Sequence, residues 1–139
     1  MVKVRLHGSN GEIETPWAER VDANLFRLDN LPWFAYGVSD DDVVEGAVTD
    51  ADGVFEFVRV VIPSGNRLIR VILEDPADPG GVLRYLLAAG CHYEGFNRRF
   101  VAVSIPPAVD LGSVTGHLTA VGVSWEYANP TYAQLVGAG

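Results

Sequence analysis

Arg67-Leu68-Ile69-Arg70-Val71-Ile72-Leu73 is the stretch on which the fold turns. In an extended strand successive side chains point to opposite faces, so Ile69, Val71 and Leu73 share one side. Leu68, Arg70 and Ile72 share the other. Apolar residues on both sides call for cover on both sides. Asp75-Pro76-Ala77-Asp78-Pro79-Gly80 then breaks the strand. Val82, Leu83, Leu86 and Leu87 form a helical stripe, and Gly90 stands where a C-terminal glycine cap belongs. Cys91–Glu94 and Arg99–Ile105 read as a hairpin around Gly95-Phe96-Asn97, ended by Pro106-Pro107. Asp110 is an N-cap for a second helix marked by Leu111, Val114 and Leu118. Gly112 and Gly116 weaken it by about 1 kcal/mol each relative to Ala. Val123–Tyr127 is a last strand. The order βαββαβ predicts a ferredoxin-like sandwich. Its helices cover one sheet face and leave Leu68, Arg70 and Ile72, with Phe100 and Ala102, on a bare one. An apolar bare face must be covered, by the first half of the chain or, next, by a second copy in a homodimer.

Upstream, the sequence reads as short strands. Val2, Val4 and Leu6 alternate with Lys3, Arg5 and His7, the period of a half-buried strand. Gly8-Ser9-Asn10-Gly11 is a turn. Ile13, Thr15 and Trp17 share the face of a second strand. A third is predicted near Asn24–Leu28, a fourth over Val43–Val48 and a fifth over Val54–Ile62. The fifth is apolar on both sides, as expected of a strand bent through a small barrel. The expected fold is α+β: an N-terminal SH3-like β-barrel (1–63) packed on the ferredoxin-like part (64–128), in one compact domain 1–139. Residues 129–139 are expected to form a flexible tail.

Apolar residues make up 48% of the 139 and charged residues 20%, so a buried core is expected and disorder is not. No apolar run approaches the roughly 20 residues that span a bilayer, and no membrane association is expected. The single cysteine, Cys91, cannot form an internal disulfide, which points to a reducing, cytoplasmic setting. Net charge is -8 and uneven. Between Arg27 and Arg59 eight acids occur with no base, Asp40-Asp41-Asp42 among them. Such a surface keeps small proteins apart or docks a basic partner, and it repels a nucleic-acid backbone.

Several stretches recur together: Glu14-Thr15-Pro16-Trp17, Asn30-Leu31-Pro32-Trp33-Phe34-Ala35-Tyr36-Gly37-Val38, Asp42-Val43-Val44-Glu45, Gly90-Cys91-His92-Tyr93-Glu94-Gly95, Ile105-Pro106-Pro107 and Trp125-Glu126-Tyr127. In this combination the chain resembles the bacterial domain-of-unknown-function family 4265, over residues 10–128. The resemblance implies a small, stand-alone bacterial protein. It brings no established activity and no catalytic residues. The family shows Gly immediately before the residue matching Asp42, where this sequence has Asp41.

Residues 31–38 are the oddest segment. Pro32 and Gly37 make it a loop, yet it carries Trp33, Phe34 and Tyr36. Such a loop either plugs an open barrel end or presents a binding surface, with Trp17 as a neighbour. Asp40, Asp41 and Asp42 follow as an acidic turn, and Asp42 is expected to bond backbone N–H groups. No metal-ligand spacing is present, and no cofactor is expected. On a strand Cys91 and His92 face opposite ways, so they form no dyad. His92 and Glu94 do share a face and are acid–base candidates, joined by Arg70 or Arg99 if the strands align. Whether the protein is an enzyme stays open. Two functions are expected. The first is a non-catalytic protein-binding module of the immunity, antitoxin or adaptor kind, using Trp17, Trp33, Phe34, Tyr36, Asp40, Asp41 and Arg70 against a basic protein partner. The second is a small-molecule-binding protein or minor enzyme with a cleft between barrel and sheet, lined by Trp17, Trp33, Tyr36, His92, Glu94 and Arg70.

Overall fold

The computed structural model describes residues 1–74 and 78–137. The first half holds β1 (Val2–His7), β2 (Ile13–Glu14), β3 (Trp17–Asp22), β4 (Leu25–Leu28), β5 (Val43–Val48) and β6 (Val54–Ile62). β1, β3, β4, β5 and β6 close a five-stranded β-barrel. The closure is the parallel pairing of β1 with β6, Val4 opposite Phe55.

Two features of the barrel differ from the sequence expectation. The strand expected over Ile13–Trp17 is split at Thr15-Pro16. The two residues of β2 pair with the end of β1, and a separate strand, β3, starts at Trp17. β3 is absent from the expectation because, of its six residues, Ala18 alone is buried. A period-two signal needs at least two apolar residues on one face. The expected third strand is β4, paired with β3 across the turn at Ala23-Asn24.

β6 explains its own two-sided pattern. The β5–β6 register shifts at Val43/Val44 and again at Glu45/Gly46. Such bulges bend a strand and change which face points inward. Phe55, Phe57 and Val60 accordingly all pack on the barrel core of Val4, Leu6, Ala18, Phe26, Leu28 and Val44. Gly46 is required at one bulge: a Cβ there would lie 2.9 Å from the Phe26 ring.

The second half holds β7 (Arg67–Ile72), α1 (Pro79–Ala88), β8 (His92–Gly95), β9 (Phe100–Ile105), α2 (Leu111–Ala120), β10 (Ser124–Asn129) and α3 (Tyr132–Gly137). The four strands form a separate antiparallel sheet in the order β10-β7-β9-β8. Ile69, Val71 and Leu73 pack against Val82 and Leu86 of α1 and Val114 and Leu118 of α2. Full burial of each such side chain contributes about 1.5–3 kcal/mol. Asp110 caps α2 by accepting from the Ser113 N–H at 2.8 Å, and Asp78 caps α1 by accepting from Gly81. Gly90 ends α1 at φ 95. The remainder of the expected break, Asp75 to Ala77, lies outside the described residues. β10 extends beyond Tyr127 to Asn129, and α3 covers part of the expected tail; Ala138 and Gly139 lie outside the described residues.

The other sheet face is covered from the barrel. Leu68 of β7, Ala102 of β9 and Ala128 of β10 bury against Leu31, with Trp33 packed beside them. These last two belong to the β4–β5 connection, residues 29–42. Among the described residues no helix is long and apolar enough to cross a membrane.

Candidate functional site

The β4–β5 connection has neither helix nor strand, so its backbone groups need partners elsewhere. Glu14, buried at the end of β2, supplies them. Its carboxylate accepts from the N–H groups of Trp33 at 2.7 Å, Phe34 at 2.7 Å and Ala35 at 2.9 Å. Charge-assisted bonds of this kind are about twice as strong as neutral ones. Arg70, 2% exposed, holds the loop from the sheet side. It donates to the carbonyls of Ala35 and, at 3.5 Å, Pro32. A residue of β2, beside the barrel, and a residue of the second sheet thus grip the same turn.

The loop plugs the barrel with some side chains and keeps others outside it. Ala35 and Val38 fill the barrel core. The aromatic residues stay nearer the surface. Trp33 donates its indole N–H to the Glu94 carbonyl at 3.3 Å. Phe34 meets Phe96 edge-on at 5.3 Å, and Trp33 meets the same ring at 5.4 Å.

Here the barrel, loop and second sheet enclose an open groove of about 390 Å³. Trp17 forms the barrel wall, Trp33 and Phe34 the loop wall, and Glu94 and Phe96 the sheet wall. Trp17 is 47% and Phe96 51% exposed. Burial raises the pKa of Glu94 above its ordinary value, and the charges of Asp40 and Asp29 add to the rise.

The expected site residues therefore divide between two cavities that share Trp33 and Phe34, with Tyr36 and Arg70 lining the second. Trp17, Trp33, Phe34 and Glu94 come together. Tyr36 turns to the opposite side of the loop. Its hydroxyl donates to Glu126 at 2.9 Å and its ring lies 4.7 Å from the Arg70 guanidinium. Burial and Glu126 hold its phenol above the ordinary pKa. Arg70 does not join His92 and Glu94. In the sheet, Ala102 stands between Arg70 and Glu94, paired with each. Glu126, on the other flank of Arg70, lies 3.8 Å from it. His92 is exposed and lines none of this groove. Cys91 packs in the core beneath the helices, where burial raises its pKa.

The acidic turn also divides. Asp42 is buried and accepts from the N–H groups of Ser39 and Ser64, as its position suggested. Asp40 is 8% exposed, with Asn66 donating to its Oδ2 at 3.3 Å. Burial pushes its pKa up. Asp41 alone of the three is exposed. Among the described residues no three His, Cys, Asp or Glu side chains are grouped to hold a metal ion.

The matching family model, described as a domain of unknown function (DUF4265), spans residues 14–132. The chain belongs to the DUF4265 family. No curated protein matches it. A crystal structure described as that of a hypothetical protein from Neisseria gonorrhoeae is similar, with a TM-score of 0.77 at 19% identity, covering 95% of this chain and 97% of that one. At that identity the likeness concerns the fold. The family match begins at Glu14, the residue that anchors the loop. In this DUF4265 chain Asp41 takes φ 63, a left-handed conformation found at no other non-glycine described. That is the position where the sequence resemblance leads one to expect glycine.

Sequence reasoning missed two members of the DUF4265 groove. Phe96 reads as part of a hairpin turn, although a large aromatic at a turn tip is unusual enough to mark. Glu14 reads as the polar side of a strand. Its burial depends on loop N–H groups 19 to 21 residues further along the chain, which no local pattern encodes.

Proposed function

We propose that this protein is a small-molecule-binding protein whose ligand lies in the groove between barrel and sheet. The supporting observation is the meeting of Trp17, Trp33, Phe34, Phe96 and Glu94, from separate parts of the chain, around one open cleft. Ligand sites favour such junctions, with apolar walls and few polar groups. The wall is also fixed in advance, since Glu14 and Arg70 hold the loop, and a preformed wall lowers the ordering cost of binding. Docking of a basic protein on the acidic strip draws less support, because Asp40 and Asp42 point inward. The second half is inferred to be ferredoxin-like on its strand order β10-β7-β9-β8, and the barrel SH3-like on its five short strands. A bacterial, cytoplasmic setting fits the lone buried Cys91.

Solvent mapping tests the groove before any ligand is identified. Crystals soaked in isopropanol are expected to collect solvent molecules between Trp17 and Phe96. Collection elsewhere with this groove left empty would overturn the proposal.

A further inference from the structure

We infer that the groove takes a small organic cation, an ammonium group carried on an apolar body; the inference rests on the groove being a binding site. The first support is charge. Two carboxylates, Glu14 and Glu94, line the groove and no Lys, Arg or His does. Glu14 is occupied by the three loop N–H groups it accepts. Glu94 takes part in none of the ion pairs among the described residues. Burial without a counter-charge raises its pKa, hydrogen bonding from Asn30 and the Leu31 backbone offsets part of the rise, and the charges of Asp40 and Asp29 add to it. A ligand cation relieves that repulsion, whereas an anion meets several carboxylates at once.

The second support is the walls. The faces of aromatic rings carry negative potential and attract ammonium groups. Trp33, Phe34 and Phe96 meet edge to face, at interplanar angles of 64° and 78°, so rings of differing orientation border one space. Trp17 already holds a cation of the chain itself: Lys3 Nζ lies 4.7 Å from its ring centre. The third support is the whole-molecule field. A net charge of -8 concentrates cations near the surface.

The test is a titration of the nitrogen-15-labelled full chain with benzyltrimethylammonium, benzyl alcohol and benzoate, followed at the indole N–H signals. The ammonium is expected to move Trp17 and Trp33 and leave Trp125 still. It should bind about tenfold more tightly than the neutral alcohol, and Glu94→Gln should remove most of that advantage while the remaining spectrum stays unchanged. Equal binding of the alcohol or benzoate, or no effect of Glu94→Gln, would overturn the cation while leaving the groove as a site. Failure of all three probes to move Trp17 and Trp33 would overturn the groove itself.

Discussion

The Asp40 carboxyl lies in the wall between barrel and sheet, and Glu94 borders the groove nearby. Both have pKa values raised chiefly by burial. A carboxyl raised in the folded state binds more protons there than when unfolded. Stability therefore falls as pH rises from the ordinary carboxyl range through the raised values. Below that range the burial cost is absent, and above it the cost is complete. Asp40→Asn is expected to be more stable than the parent at neutral pH. The difference should shrink as pH falls toward about 4. Denaturant melts at several pH values check this; a difference that grows on acidification would contradict it. Composition does not reveal that Asp40 is buried and Asp41 exposed, since their opposite exposures follow from how the turn is aimed.

At the scale of elements, the turn before β5 carries a local strain. The Asp41 N–H donates to the Leu28 carbonyl at 2.8 Å, and the Leu28 N–H to the Asp42 carbonyl at 3.0 Å. These bonds lock β4 to β5 and require φ 63 at Asp41. An ordinary L-residue loses about 1–2 kcal/mol there, while glycine costs roughly 0.4–1 kcal/mol through the unfolded chain. Asp41→Gly is thus expected to exceed Asp41→Ala in stability by about 1 kcal/mol, measured by urea unfolding. Most elements were legible in the sequence for plain reasons. The period-two run of β1, the helical stripe of α1 and the cap at Asp110 are all local patterns. β3 was not legible because one buried Ala18 makes no pattern. The bulges in β6 were visible only indirectly, as apolar residues on both sides of that strand.

For the whole molecule, the β4–β5 loop joins the two halves. It sends Ala35 and Val38 into the barrel core and Leu31 and Trp33 onto the second sheet. The bare face of that sheet is legible from Leu68 and Ala102, and so is cover by the first half. Which segment provides the cover is not, because it depends on contacts between Glu14, Arg70 and a loop remote from both in sequence. The groove was half legible. Trp17, Trp33, Phe34 and Glu94 stand out in the sequence, whereas the separation of Tyr36 to the far side of the loop depends on Arg70 and Glu126. Everything proposed about function needs this loop to be a fixed wall rather than a mobile flap. Amide hydrogen exchange reads that directly. The N–H groups of Trp33, Phe34 and Ala35 should exchange slowly in the parent protein. In Glu14→Gln they should exchange roughly five- to a hundredfold faster, as the loss of about 1–3 kcal/mol of hydrogen bonding implies, while β9 stays protected. Exchange of those three amides as fast as in an exposed loop of the parent protein would contradict the account.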